Sequence, residues 1–142
     1  EGYFDFIPAI FSDIIHRAYA ETGGLLPRRP RDKRILEVLE FLRLHSHENP
    51  TAVRTAELVF MSPSRLLHLF KLECGIGMGE YLLKLRLRKA RRFLLAADWP
   101  ISRVAEKSGF TDQSYFTSMF RREFGLPPLR YRRKHGHAPY TV

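Results

Sequence analysis

Cysteine is almost absent from this sequence, and so are the long apolar runs typical of membrane proteins. Cys74 is the single cysteine, which excludes an internal disulfide and favours a reducing compartment. No apolar run approaches the ~20 residues that a membrane-spanning helix needs. We therefore expect a cytoplasmic chain with no membrane partner.

Acidic residues are also scarce, because 15 Asp and Glu face 24 Lys and Arg, for a net charge of +9. The imbalance is local: residues 1–24 carry one cation and four carboxylates, a net of −3, which leaves 23 cations and 11 carboxylates, +12, in residues 25–142. A basic surface of this kind favours a polyanionic partner, either nucleic acid or an acidic membrane surface. A hydrophobic content of 44% in 142 residues suffices for one compact domain with a terminal extension.

Signals for enzymatic chemistry are missing as well. No carboxylate pair, nucleophile motif or cofactor fingerprint stands out. The two H-x-H pairs, at 45–47 and 135–137, lack further ligands at metal-site spacing. Three glycines at 75–79 are not followed by Lys-Ser/Thr, so capping explains them better than a phosphate loop. We expect no metal, no cofactor and no enzymatic activity.

What is present is a helix-turn-helix pattern from Ile101 to Phe120. Pro100 suits the first turn of its first helix, and Gly109 stands where the turn between the helices requires a positive φ. In the second helix we expect an inward apolar face of Phe116, Met119, Phe120 and Phe124. The opposite face is then polar and suits a DNA groove; it consists of Gln113, Ser114, Thr117, Ser118 and Arg121.

The same pattern occurs upstream as an internal repeat. F-K-L-E-C-G from Phe70 matches F-R-R-E-F-G from Phe120 at an offset of fifty, and Ser62 matches Thr111 at forty-nine. Thr51 should cap a short helix over 52–59, and the recognition helix should run from Pro63 to about Glu73. Its apolar spacing places Leu66, Leu69 and Phe70 inward. The outer face should then consist of Ser64, Leu67, His68 and Lys71, with Arg65 beside it. Two tandem copies favour DNA binding far more strongly than a single amphipathic hairpin does.

These residues resemble the carboxy-terminal signature of the AraC/XylS family of bacterial transcription regulators. The resemblance rests on G-F-T-D-Q-S-Y-F from Gly109 and F-R-R-E-F-G-L-P-P-L-R-Y-R-R from Phe120. It implies an all-α fold of tandem helix-turn-helix modules joined by a long linker helix, binding double-stranded DNA and usually activating transcription by recruiting RNA polymerase. Two positions depart from the family pattern: Phe60 replaces a usual turn glycine, so turn geometry or packing should differ, and Thr55 replaces a usual leucine, which thins the local core.

We divide the chain into an amphipathic helix within 1–24, a linker at 25–31, the DNA-binding domain at 32–135 and a flexible tail at 136–142. Because residue 1 is not Met, the chain is expected to be processed or a fragment. The first helix either packs back on the domain or ends a missing amino-terminal domain, which in the family binds effector or mediates dimerisation.

Within the domain, Asp32 should cap a helix from Lys33 to about Leu44, with four residues facing inward: Ile35, Leu36, Leu39 and Leu42. The long linker helix is predicted over 80–95. Its inner positions should be Tyr81, Leu82, Leu85, Ala90, Phe93 and Leu94. An outer row of cations should consist of Arg86, Arg88, Lys89, Arg91 and Arg92. A short helix should follow from Pro128 to about Lys134, with Tyr131 inward and three cations outward: Arg130, Arg132 and Arg133.

The candidate DNA contacts fall into two classes. Residues predicted to read bases are Ser64, Arg65, Leu67 and His68 in the first module, and Gln113, Ser114, Thr117 and Ser118 in the second. Residues predicted to contact phosphates are Lys71, Arg121 and Arg122. The alternative is a basic protein-interaction module that binds an acidic partner.

Overall fold

The computed structural model describes residues 25–136, and this part of the chain is helical and contains no strand. The amphipathic helix predicted within 1–24 and the tail from 137 onward lie outside it. Among the described residues, no helix is long and apolar enough to cross a bilayer. In chain order the elements are α1 (Lys33–His45), a 3₁₀ turn (Ser46–Glu48), α2 (Ala52–Leu58), α3 (Pro63–Cys74), α4 (Met78–Ala96), α5 (Ile101–Lys107), α6 (Gln113–Phe124) and α7 (Pro128–His135).

The described residues form two compact units, each built around one helix-turn-helix. The first unit contains residues up to 45 and 50–82, and the second contains 46–49 and the residues from 83 onward. Helices α2 and α3 are the first helix-turn-helix, and α5 and α6 are the second. The predicted tandem all-α architecture is therefore confirmed.

In the first unit, α1 packs against both α2 and α3. Asp32 directly precedes α1 and caps it as predicted, because its carboxylate accepts a hydrogen bond from the backbone N–H of Arg34 at 2.9 Å. Thr51 caps α2 by accepting from the backbone N–H of Arg54. The inward face of α1 differs from the prediction at three positions, since Val38 is fully buried whereas Leu36 and Leu39 are only partly buried.

In the second unit, aromatic rings from α6 fill much of the core. Phe116 and Phe120 are fully buried, with ring centroids 5.7 Å apart. The other buried members are Leu87, Ala90, Leu94, Val104, Ala105 and Phe110. Pro100 precedes α5 as its N-cap instead of lying in its first turn. The burial of Phe116 and Phe120 fixes which side of α6 faces outward.

Helix α4 is slightly longer than predicted and is the longest of the described helices, at 19 residues. Most residues predicted to face inward are buried, and Phe93 is half-buried. Leu87 is also buried, although the sequence had not assigned it to the inner face.

Candidate nucleic-acid interface

Helix α3 presents the predicted outer face of the first module. Its start is fixed by Ser62, whose hydroxyl accepts from the backbone N–H of Arg65 at 3.3 Å, and by Pro63 at the first helical position. Leu66 and Phe70 are fully buried, which orients the helix. All five residues predicted for the outer face are exposed: Ser64, Arg65, Leu67, His68 and Lys71.

Helix α6 presents the corresponding face of the second module. Asp112 is its N-cap, and its carboxylate accepts from the backbone N–H of Tyr115 at 3.0 Å. The sequence interpretation had not assigned this role, although an Asp directly before a helical pattern is a usual cap signal. Thr117 is partly buried, and the remaining candidates are exposed: Gln113, Ser114, Ser118, Arg121 and Arg122.

The turns of the two modules share a backbone conformation despite their different residues. Phe60 has φ 56° and Gly109 has φ 98°, so both are left-handed. The backbone N–H of Phe60 donates to the backbone oxygen of Glu57 at 3.3 Å, and the backbone N–H of Gly109 donates to the backbone oxygen of Glu106 at 3.1 Å. The expected change of turn geometry at Phe60 is therefore absent, and the difference lies in packing.

That difference in packing is large. The Phe60 side chain is 97% exposed. A Cβ at Gly109 would instead lie 2.9 Å from the Cα of His47 and 3.0 Å from the carbonyl oxygen of Ser46. The glycine in the second module is thus required by both its φ and its close neighbours, whereas the first turn accepts a side chain because that side chain points into solvent.

The other departure, Thr55, is fully buried in the first unit. Its hydroxyl donates to the backbone oxygen of Thr51 at 2.7 Å. The polar atom is therefore satisfied within its own helix, so burying it does not carry the penalty of an unpaired hydroxyl.

Arg86 does not lie on the outside of α4, contrary to the prediction. Its side chain is partly buried and donates from Nε to the backbone oxygen of Ser46 at 2.7 Å, and from a terminal nitrogen to Oδ1 of Asn49 at 2.6 Å. Burial lowers the pKa of its guanidinium from the usual value. Arg86 holds the 46–49 segment in place and therefore does not belong to the predicted outer row of cations.

The neighbouring cations of α4 are also less exposed than predicted. Lys89 is partly buried, and desolvation lowers its pKa. The guanidinium of Arg91 lies 4.9 Å from the ring centroid of Phe124, which suits a cation–π contact. Arg88 is partly buried and only Arg92 is exposed, so the outer row of five cations is wrong as a description of this helix.

Arg132 is a further correction, because it was predicted to face outward from α7. Its side chain is 17% exposed and donates from Nε to the backbone oxygen of Leu94 at 3.1 Å, and from a terminal nitrogen to that of Ala97 at 3.4 Å. Carbonyl groups at the end of a helix lack intrahelical partners, so Arg132 caps α4. Arg130 and Arg133 are exposed as predicted, and Tyr131 is partly buried.

Side chains that could bind a metal ion are not clustered in residues 25–136. No cluster of three or more His, Cys, Asp or Glu side chains occurs among them. Cys74 ends α3 and is buried, and burial raises the pKa of its thiol to about 12. A thiol of this kind is protonated and inert at neutral pH.

Comparison with known proteins agrees with the helix-turn-helix fold described above. A family model described as a helix-turn-helix domain matches residues 55–134. The arabinose operon regulatory protein of Escherichia coli is 33% identical over 120 residues, which cover 84% of this chain and 40% of that protein. The chain thus spans less than half the length of the curated relatives it matches.

Two solved structures share the fold. The carboxy-terminal domain of AraT, a response regulator from Geobacillus stearothermophilus, is 31% identical with a TM-score of 0.72, and the match covers 78% of this chain and 93% of that one. The DNA-binding domain of AdpA, solved in complex with a target DNA, is 26% identical with a TM-score of 0.68, covering 72% and 92%. This chain therefore belongs to the AraC/XylS family of transcription regulators and contains its tandem helix-turn-helix DNA-binding domain.

Proposed function

We propose that this chain regulates transcription as a sequence-specific activator, with α3 and α6 entering successive major-groove segments of double-stranded DNA. The observation that carries the proposal is the repeated helix with a buried apolar face and an exposed, largely polar face. Such a face matches the donors and acceptors that base edges present in the major groove. A surface selected for positive charge alone would not need base-compatible side chains on the outer face of both helices.

In the first module, base reading is assigned to the exposed residues of α3. Arg65 and His68 can donate to guanine N7 or O6, and Leu67 can contact a thymine methyl group. Ser64 suits a short or water-mediated contact.

In the second module, Gln113 can form the bidentate pair with adenine. Ser114, Thr117 and Ser118 offer only short hydroxyl groups, and Thr117 is partly buried. The second module therefore relies more on phosphate contacts and DNA shape than the first.

This difference between the two modules is tested by competition titrations in which each base pair of a preferred duplex is replaced in turn. The double variant Arg65→Ala, His68→Ala should relax specificity more than the double variant Gln113→Ala, Thr117→Ala. A lost base contact of this kind costs about 1–3 kcal/mol of discrimination. The opposite ranking would overturn the assignment.

Phosphate contacts are assigned to Lys71, Arg121 and Arg122, which are all exposed. Arg121→Ala should weaken binding to all duplexes alike and reduce the salt slope by about one unit. Arg34→Ala serves as the control, because it also removes one positive charge but from a side chain that already pairs with Asp32 at 2.9 Å. It should reduce the salt slope of DNA binding less than Arg121→Ala does. A loss confined to one DNA sequence would contradict the phosphate role of Arg121.

The remaining parts of the proposal concern the whole protein. We infer that it acts in the cytoplasm at the nucleoid, contacts RNA polymerase, and forms a homodimer through residues upstream of the DNA-binding domain. We also infer that it has no catalytic activity and needs no cofactor. These inferences are supported by membership of a family of DNA-binding regulators.

A further inference from the structure

The segment that precedes α1 lies against the carboxyl end of α3. The backbone N–H of Arg28 donates to the backbone oxygen of Cys74 at 3.2 Å, and a guanidinium nitrogen of Arg28 donates to that of Leu72 at 3.3 Å. These carbonyl groups belong to the last turn of α3, where no intrahelical donor remains. Residues more than forty positions upstream therefore satisfy the end of the first recognition helix.

Glu73 makes a second connection between the same two parts of the chain. Its Oε2 accepts from the backbone N–H of Arg31 at 2.9 Å and from that of Asp32 at 3.3 Å. Both donors lie at the start of α1, where the helix dipole favours a negative charge. A carboxylate bonded to two backbone N–H groups is a strong, directional contact, so it fixes the last turn of α3 relative to α1.

Burial and close approach of the segment agree with these hydrogen bonds. Leu25 and Leu26 are buried, although the sequence predicted a linker at 25–31. A Cβ at Gly75 would lie 3.1 Å from Cβ of Pro27 and 3.3 Å from Cγ of Arg28. The segment therefore lies close against the residue that ends α3.

The second module provides an internal comparison, because Gly125 and Glu123 match Gly75 and Glu73 at an offset of fifty. A Cβ at Gly125 would meet nothing within 4 Å. Glu123 forms an ion pair with Lys84 at 3.9 Å, a distance at which an exposed pair contributes little. The two recognition helices are thus supported differently at their carboxyl ends.

We propose that residues 27–32 position the first recognition helix for base reading, with Arg28 and Glu73 as the positioning residues. The inference rests on the proposed function of α3 as a reader of bases. The segment continues directly into residues 1–24, so a displacement of the chain upstream would be transmitted to the end of α3 through Arg28 and Glu73.

The test compares Glu73→Ala with its matched control Glu123→Ala. Each variant is titrated with the preferred duplex, with a duplex altered only in the half-site that α3 reads, and with one altered only in the half-site that α6 reads. Glu73→Ala should reduce discrimination at the α3 half-site by about 2- to 30-fold, the range typical of residues that act without touching the ligand. Discrimination at the α6 half-site should stay unchanged, and Glu123→Ala should change neither.

Two further variants keep the test independent of folding. Glu73→Gln retains an acceptor oxygen and should restore part of the lost discrimination. Arg28→Ala removes an exposed side chain and its hydrogen bond to the backbone oxygen of Leu72. It should lower discrimination at the α3 half-site in the same direction as Glu73→Ala, with a smaller effect. The inference would be overturned if Glu73→Ala lowered discrimination equally at both half-sites. It would also be overturned if neither Glu73→Ala nor Arg28→Ala lowered discrimination at the α3 half-site. A wild-type protein that discriminates at neither half-site would instead overturn the proposed function itself.

Discussion

The turn glycine of the second module provides a sharp test of the packing described above, because the chain contains its own control. Gly109 and Gly125 both have positive φ, at 98° and 83°, and both lie in the second unit. Alanine at either position must adopt a left-handed conformation, which costs about 1–2 kcal/mol. The strain of that conformation is therefore similar in the two variants.

The surroundings of the two glycines differ. A Cβ at Gly109 would lie 2.9 Å from the Cα of His47, 3.0 Å from the carbonyl oxygen of Ser46 and 3.1 Å from Nε of Arg86, whereas a Cβ at Gly125 would meet nothing within 4 Å. Overpacking against backbone atoms typically costs about 1–3 kcal/mol. Gly109→Ala should therefore destabilise the protein by about 1–3 kcal/mol more than Gly125→Ala does.

The assay is thermal unfolding followed by circular dichroism, with urea titration as a second measurement. In a unit of this size the extra loss corresponds to a melting temperature lower by on the order of 10 °C. Equal destabilisation by the two variants would show that the 46–49 segment does not pack against the turn. The account of Arg86 as the residue that holds this segment would then be wrong as well.

Two further predictions follow from buried and exposed side chains. Cys74 should resist alkylation by iodoacetamide until the protein is denatured, because its thiol is buried and protonated. The free energy of unfolding should also fall as pH rises from 9.0 to about 12, because in that range only the unfolded chain releases the thiol proton. Phe60→Gly should raise the urea midpoint, because it removes about 1–2 kcal/mol of left-handed strain from a side chain that is 97% exposed. The lower midpoint expected from the greater freedom of glycine in the unfolded chain, about 0.5–1 kcal/mol, offsets only part of this gain.

The helices could be predicted from the sequence because their signals are local. Apolar spacing identified the buried faces of α3 and α6, and Thr51 and Gly109 have the capping and turn roles predicted for them. The exposure of the candidate base-reading residues follows directly from the burial of Phe70 and Phe120 on the opposite faces. Their contacts with DNA stay predictions.

The errors concern long side chains whose partners are distant in sequence. Arg86 and Arg132 occupy positions that a helical repeat assigns to the outside, yet their guanidinium groups reach backbone oxygens 40 and 38 residues away. Such side chains can lay an apolar stem along the surface and direct the charged group elsewhere. The burial of Leu25 and Leu26 was missed for a related reason, since nothing in a short proline-containing stretch reveals what packs against it.

The most direct test of the central claim, that both recognition helices of one chain read DNA, is selection of preferred duplexes from a random pool. It should be carried out with the wild type and with two double variants, Arg65→Ala, His68→Ala and Gln113→Ala, Thr117→Ala. The wild type should enrich two short sequence blocks about one helical turn, ~10 base pairs, apart, and each double variant should weaken a different block. Steeply salt-dependent binding with no enriched sequence would contradict the claim and favour a basic surface for an acidic partner.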